Sequence, residues 1–180
     1  MAYRQPFRYG FCFSINQNNA ILERKGRINR MKALNIDDFK NLHTVMNMLE
    51  ELKETYSLDE HQQLLSKILI HGGNWRVKER VLEYSMDIQE PTNEFLEAIC
   101  CIVTNDEIYI NLRILAAEAL RILVPKKIKE TRVCPRFKGI SVLRVLQNIL
   151  ESPQVPLFHD AVKKAQEAIE QFRNNAGNPR

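Results

Sequence analysis

An all-α fold of about seven helices, built from successive helix pairs, is the class that this sequence predicts. Two observations predict it: one long stretch that is apolar almost all the way round, and a local pattern that recurs in three helices. The stretch is Glu107 to Val124, EIYINLRILAAEALRILV. It is too long and too rich in Leu and Ala for a strand, and Pro125 is expected to end it. Asp106 stands before it as an N-cap candidate, an acid at the positive end of the helix. Its polar residues are few. Asn111 and Glu118 share a face, and Arg121 lies close to it. A helix otherwise apolar around its circumference is buried by neighbours on several sides. The Ala116-Ala117-x-Ala119 centre lets those neighbours come close, as the inner helix of a stacked array requires.

In chain order, residues 1–34 lack helical periodicity. They carry Tyr3, Phe7, Tyr9, Phe11 and Phe13, then an Asn/Gln patch, then a basic run. An extended or disordered segment fits this pattern. Phe11, Phe13 and Ile15 alternate, which also suits a short strand or an anchor on the helical body. A helical domain is expected over residues 35–174, with a frayed tail at 175–180. The first helix runs from about Ile36 to Thr55, with Ile36, Phe39, Leu42, Val45, Leu49 and Leu52 on one stripe. Ser57-Leu58-Asp59-Glu60 reads as a capping box for the second, whose inward face is Leu64, Leu65, Ile68 and Leu69. Gly72-Gly73 is its stop.

Asn74 is the expected cap of a third helix, Trp75 to Asp87, with Val77, Val81, Tyr84 and either Leu82 or Met86 inward. Glu90-Pro91 breaks the chain, and Thr92 or Asn93 caps a fourth helix from Glu94 to Thr104. Asn105-Asp106 turns into the long central helix. Lys126 to Gly139 is expected to be a loop; it holds six basic residues against Glu130, and Pro135 interrupts it. A sixth helix is expected from Ser141 to Glu151 and a seventh from Leu157 to Arg173, separated by Ser152-Pro153 and Pro156.

The recurring pattern joins three of these helices. Val77-x-Glu79-x-Val81-x-x-Tyr84 overlays Ala116-x-Glu118-x-Leu120-x-x-Leu123, and that overlays Ala165-x-Glu167-Ala168-Ile169-x-x-Phe172. Glu79 and Glu118 are 39 residues apart and Glu118 and Glu167 are 49; the basic stretch 126–139 accounts for the longer interval. Paired helices at a period of roughly 40 residues are the signature of armadillo and HEAT arrays. LAAEALRIL at 115–123 and VKKAQEAIEQF at 162–172 resemble the long inner helices of that class, over residues 36–174. The resemblance implies a right-handed superhelical stack of helix pairs. It does not extend to the asparagine ladder of peptide-binding armadillo proteins: Gly72 and Asp160 stand where counterparts of Asn111 would fall. A single irregular helical bundle is the other reading of the pattern.

At 180 residues the chain suits one domain, or one domain with a tail, and its 44% apolar content supplies a core. The net charge of +4 is unevenly spread. Arg4, Arg8, Arg24, Lys25, Arg27, Arg30 and Lys32 face only Glu23 in the first 32 residues, so the remainder is near neutral. Cys12, Cys100, Cys101 and Cys134 form no C-x-x-C pair, and the adjacent Cys100 and Cys101 cannot bond to each other without strain. With no apolar leader in MAYRQPFRYGFCFS, reduced thiols and a cytoplasmic or nuclear location are expected. No apolar run approaches the roughly 18–20 residues of a membrane span.

No chemistry-bearing motif stands out. His43, His61, His71 and His159 form no i, i+4 pair with His or Cys, so no helical zinc motif is present. His43 is expected to be half-exposed, and His71 to sit at a helix C-terminus where a cation is favoured. Neither phosphate-loop nor dinucleotide glycine spacing occurs, and there is no G-x-S-x-G. Cys134 lies between Arg132 and Arg136, surroundings that lower a thiol pKa, although an ordinary loop thiol fits equally. No catalytic, cofactor-binding or metal-binding residue is expected, and no enzymatic activity.

Two functions suit the pattern. One is a protein–protein interaction module, an adaptor or scaffold, whose inner helices present a polar stripe. The stripe comprises Arg76 and Arg80, then Asn111, Glu118 and Arg121, then Lys163, Lys164 and Glu167. Trp75 is either a binding anchor at its edge or packing for the preceding helix. With only three helix pairs the ends of the array are expected to be apolar and uncapped, which favours self-association, pairing with the N-terminal segment, or a larger partner. The other is nucleic-acid binding. Residues 24–32, and Lys126, Lys127, Lys129, Arg132, Arg136 and Lys138, would neutralise phosphates, while Phe7, Tyr9, Phe11 and Phe13 stack on bases.

Overall fold

A computed structural model describes residues 41–176, all within one compact unit, Ile36–Arg180. The segment 1–34, the start of the first helix and the last four residues, all subjects of the expectations above, lie outside the described residues. Among the described residues the protein is all-α. Its helices are α1 (Leu42–Glu54), α2 (Gln62–His71), α3 (Trp75–Ser85), α4 (Asn93–Thr104), α5 (Ile110–Thr131), α6 (Val142–Leu150) and α7 (Pro156–Ala176). A two-residue hairpin, β1 (Arg136–Phe137) and β2 (Ile140–Ser141), lies between α5 and α6.

Local capping sets most of the starts. The side-chain oxygens of Asn41, Asn74, Thr92 and Ser141 accept the backbone N–H of Thr44, Arg76, Phe95 and Arg144 at 3.0–3.3 Å. Each of these residue types satisfies a donor that the first helical turn leaves free. Asn74 and Thr92 are the caps that the sequence predicts.

Three boundaries differ from expectation, each because a side chain bonds outside its own helical turn. The capping box at Ser57 does not form; a 3-10 turn, Asp59–His61, precedes α2 instead. Asp59 turns its carboxylate away to accept the N–H groups of Gln89 (3.0 Å) and Glu90 (2.9 Å). Gln62 donates to the Glu90 carbonyl at 2.9 Å and accepts from Thr92 N–H at 2.7 Å. The α3–α4 connection therefore fixes where α2 begins.

Asp106 does not cap the central helix. That helix starts at Ile110, after Tyr109, with no side-chain cap. Asp106 pairs with Nη2 of Arg113 at 2.7 Å. Arg113 is buried, donates from Nε to the Val103 carbonyl at 3.1 Å and lies 4.3 Å over the Phe158 ring.

Pro125 does not end the central helix, and the segment expected to be a loop is helical as far as Thr131. A proline inside a helix removes one hydrogen bond and crowds the preceding turn. Here Val124 and Ile128 on either side of it are buried. The next residue, Lys126, reaches the carbonyls of Met86 and Ile88 at the end of α3. These contacts offset the lost bond. The helix closes at Arg132, in a left-handed conformation (φ 60°), whose N–H bonds the Ile128 carbonyl at 2.8 Å. The hairpin turns through Lys138 (φ 49°) and Gly139 (φ 80°), both positive, as a tight two-residue turn requires.

The packing follows an alternating order. α1 touches α3, α3 touches α5, and α5 touches α7, the most extensive contact of all. On the other side α2 touches α4 and α4 touches α6, while α2·α3, α4·α5 and α6·α7 pack as hairpins. Two layers result, α1-α3-α5-α7 and α2-α4-α6. Cross-contacts show that the first layer runs parallel: Lys53 near the end of α1 meets Tyr84 near the end of α3, Trp75 beside the start of α3 meets Tyr109, and Arg113 of α5 meets Phe158 of α7. Ala116, Ala117 and Ala119 are wholly buried where α3, α4 and α7 converge on α5. Leu65, Ile68, Leu82, Phe95, Ile99 and Leu120 fill the space between the layers.

Apart from Leu157, the side chains that α6 and α7 leave exposed are mostly polar, among them Arg144, Asn148 and Lys163. The apolar, uncapped face expected at the ends of the stack is thus not seen at this one. No described helix is long and apolar enough to cross a membrane.

Candidate interaction surface

The polar stripe expected on the inner helices divides into two clusters on the first layer. The larger lies between α5 and α7, whose small Ala168 leaves a shallow groove of about 420 Å³. Glu118 and Arg121 form one wall and Lys164, Glu167 and Gln171 the other. Spacing explains the wall on α5: residues three apart on a helix are neighbours. Nε and Nη2 of Arg121 both donate to Oε2 of Glu118 at 2.9 Å. The groove thus presents both signs of charge, part of it already paired.

The second cluster sits at the starts of α3 and α5. Trp75 is 50% exposed, and its ring centroid lies 6.3 Å from that of Tyr109, which is 59% exposed. The Arg76 guanidinium lies 5.4 Å over the indole, and Asn111 donates to the Tyr109 hydroxyl at 3.2 Å. Half of the indole remains open to solvent. Tyr109 is absent from the sequence-derived set. Its partner is 34 residues away, so only its aromatic character beside the cap position hinted at it.

Arg80 and Lys163 line neither cluster. Arg80 pairs with Glu83 at 2.9 Å and lies over the Tyr84 ring; Lys163 is exposed on α7.

The basic set at 126–138 does not form one loop patch. Lys126 is committed to the Met86 and Ile88 carbonyls just after α3, and burial lowers its pKa. Lys127 is largely covered and pairs with Glu130 at 2.9 Å. Lys129, Arg132, Arg136 and Lys138 remain exposed, the last with its amine 5.1 Å over the Phe137 ring. The run 24–32 lies outside the described residues.

Cys134 is not activated. Burial raises its thiol pKa, against smaller opposing effects of Arg173 and the backbone N–H groups of Leu143 and Val142. Burial also raises the pKa of the Cys100 thiol, with Cys101, Glu97 and Cys134 adding to it. At both thiols burial is the largest effect and disfavours the thiolate. His61 is buried, in phase with Leu64, Leu65 and Ile68, with its Nδ1 2.9 Å from the Ser57 carbonyl. His43 is exposed and bonds Asn47 at 3.1 Å. Among the described residues no group of three or more His, Cys, Asp or Glu is placed to hold a metal ion. Set against protein-family models, curated proteins and solved structures, the chain matches none of them.

Proposed function

We propose that this chain is a non-enzymatic protein–protein interaction module, an adaptor or scaffold within a larger assembly. Its helix pairs form a right-handed armadillo/HEAT-like stack in this reading. The alternating contacts of the two layers and the parallel run of α1, α3, α5 and α7 support that architecture. One observation carries the functional reading. The exposed Trp75–Tyr109 pair and the charged groove at Glu118, Arg121, Lys164 and Glu167 both belong to the layer that would form the inner surface of such a stack. Half-open aromatic rings supply the apolar anchors of an interface, and mixed charges beside them set register and partner choice.

The test is charge reversal along the layer. Arg76→Glu, beside Trp75, with Arg121→Glu is expected to abolish partner capture from a cell lysate while circular dichroism stays helical. Arg121→Glu would set three carboxylates together beside Lys164, and like charges in a groove disfavour a partner matched to the original pattern. Retained capture by the folded double variant contradicts the proposal.

The grouping of Lys129, Arg132, Arg136 and Lys138 at the end of α5 and on the hairpin favours a second reading, nucleic-acid binding. It predicts that changing these four to Gln weakens binding of a labelled single-stranded oligonucleotide on every sequence and flattens the dependence on salt. An unchanged salt slope removes the idea.

A further inference from the structure

We infer that the hairpin face, from the end of α5 to the start of α6, docks on the surface of a membrane that contains anionic phospholipid. This face is independent of the groove between α5 and α7. Its four cations would also meet nucleic acid, and the side chains that stand among them decide between the two partners.

The charge here is of one sign and unpaired. Glu130 is the one acid between Lys127 and Arg144, and Lys127 holds it at 2.9 Å. Lys129, Arg132, Arg136 and Lys138 are exposed and have no carboxylate partner among the described residues. Arg173, also exposed, borders the face from α7, close enough to Cys134 to oppose the effect of burial on its thiol. Two of the cations stand where the backbone is left-handed, Arg132 at φ 60° and Lys138 at φ 49°. Gly or Asn takes such positions with least strain. A basic side chain there is a choice that folding alone does not explain.

Two aliphatic side chains stand among these cations. Val133 is 62% exposed and Ile140 46%. The backbone that carries them is anchored: Pro135 and Phe137 are buried, β1 packs on α4, and the Val142 N–H donates to the Pro135 carbonyl at 2.9 Å.

An anionic bilayer answers both features. Its surface potential attracts each Lys or Arg, worth about fivefold in partition per cation. Its acyl boundary takes aliphatic groups out of water. A nucleic acid answers only the first. Its phosphates pair with the cations, but unpaired bases stack on rings, and Phe137, the one aromatic residue from 126 to 144, is buried.

The experiment is co-sedimentation of the full chain with vesicles of two parts phosphatidylcholine to one part phosphatidylserine, beside vesicles of phosphatidylcholine alone. Binding is expected to the mixed vesicles only. Lys129→Gln with Arg136→Gln is expected to weaken it about 25-fold, and Arg132→Gln with Lys138→Gln by as much, with the helical circular dichroism retained. Val133→Ser with Ile140→Ser should weaken it about tenfold. Lys67→Gln with Lys163→Gln, the same loss of charge at exposed positions of α2 and α7, should leave it unchanged. No binding to the mixed vesicles, equal binding to both kinds, or equal loss in the Lys67 and Lys163 variant would overturn the inference. So would binding that survives both cation pairs, the result expected if residues 24–32 carried it. A labelled single-stranded oligonucleotide bound more tightly than the mixed vesicles, with the Val133 and Ile140 change without effect on either, would overturn it in favour of nucleic acid.

Discussion

Arg113→Ala is expected to lower the stability of the fold by roughly 2–4 kcal/mol, read from the midpoint of denaturant unfolding. Three losses combine at this one position. The Val103 carbonyl loses a charged donor in the core, the ring of Phe158 loses the guanidinium stacked over it, and a cavity opens between α5 and α7. The bond to Asp106 adds little, because that carboxylate is 82% exposed and its charge is screened by water. Arg113→Met keeps most of the volume and is expected to fall between the wild type and Arg113→Ala. An effect below about 0.5 kcal/mol for Arg113→Ala, typical of plain surface changes, would mean that Arg113 does not tie the starts of these helices together.

Ala117→Leu is expected to cost about 1–3 kcal/mol by overpacking. Ala117 is fully buried, and α5 has neighbours on three sides, α3, α4 and α7. Added methylene groups have no open direction to take. The loss should appear as an earlier unfolding midpoint with an unchanged slope, since the surface exposed on unfolding hardly alters. A neutral result would place α5 outside the crowded centre of the stack.

Local signals were readable and remote ones were not. The helix start at Trp75 follows from Asn74, and of Thr92 and Asn93, the two caps the sequence offers for α4, Thr92 is the one that forms, because a cap acts on its own first turn. Pro125 misled for the opposite reason: its cost is offset by Val124 and Ile128 in the core and by Lys126 reaching carbonyls about 40 residues earlier in the chain. Lys126 misled twice, since its place in a basic run concealed that its amine is spent inside the fold. Ser57 and Glu60 have the spacing of a capping box, yet Asp59 and Gln62 are drawn to the α3–α4 connection instead. On the candidate surface, Glu118 with Arg121 and Lys164 with Glu167 are legible because residues three apart on a helix share a face. Tyr109 is not, because its contact with Trp75 depends on which helix starts lie side by side in the tertiary packing.

The most direct measurement of the interaction claim is site-specific photo-crosslinking in cells. A benzophenone amino acid is placed at Gln171, in the groove between α5 and α7, and in a separate protein at Lys67, exposed on α2 in the opposite layer. The proposal predicts a discrete crosslinked protein adduct from position 171, lost in Arg121→Glu, and none from position 67. Adducts of equal yield from both positions, or from position 67 alone, would contradict it.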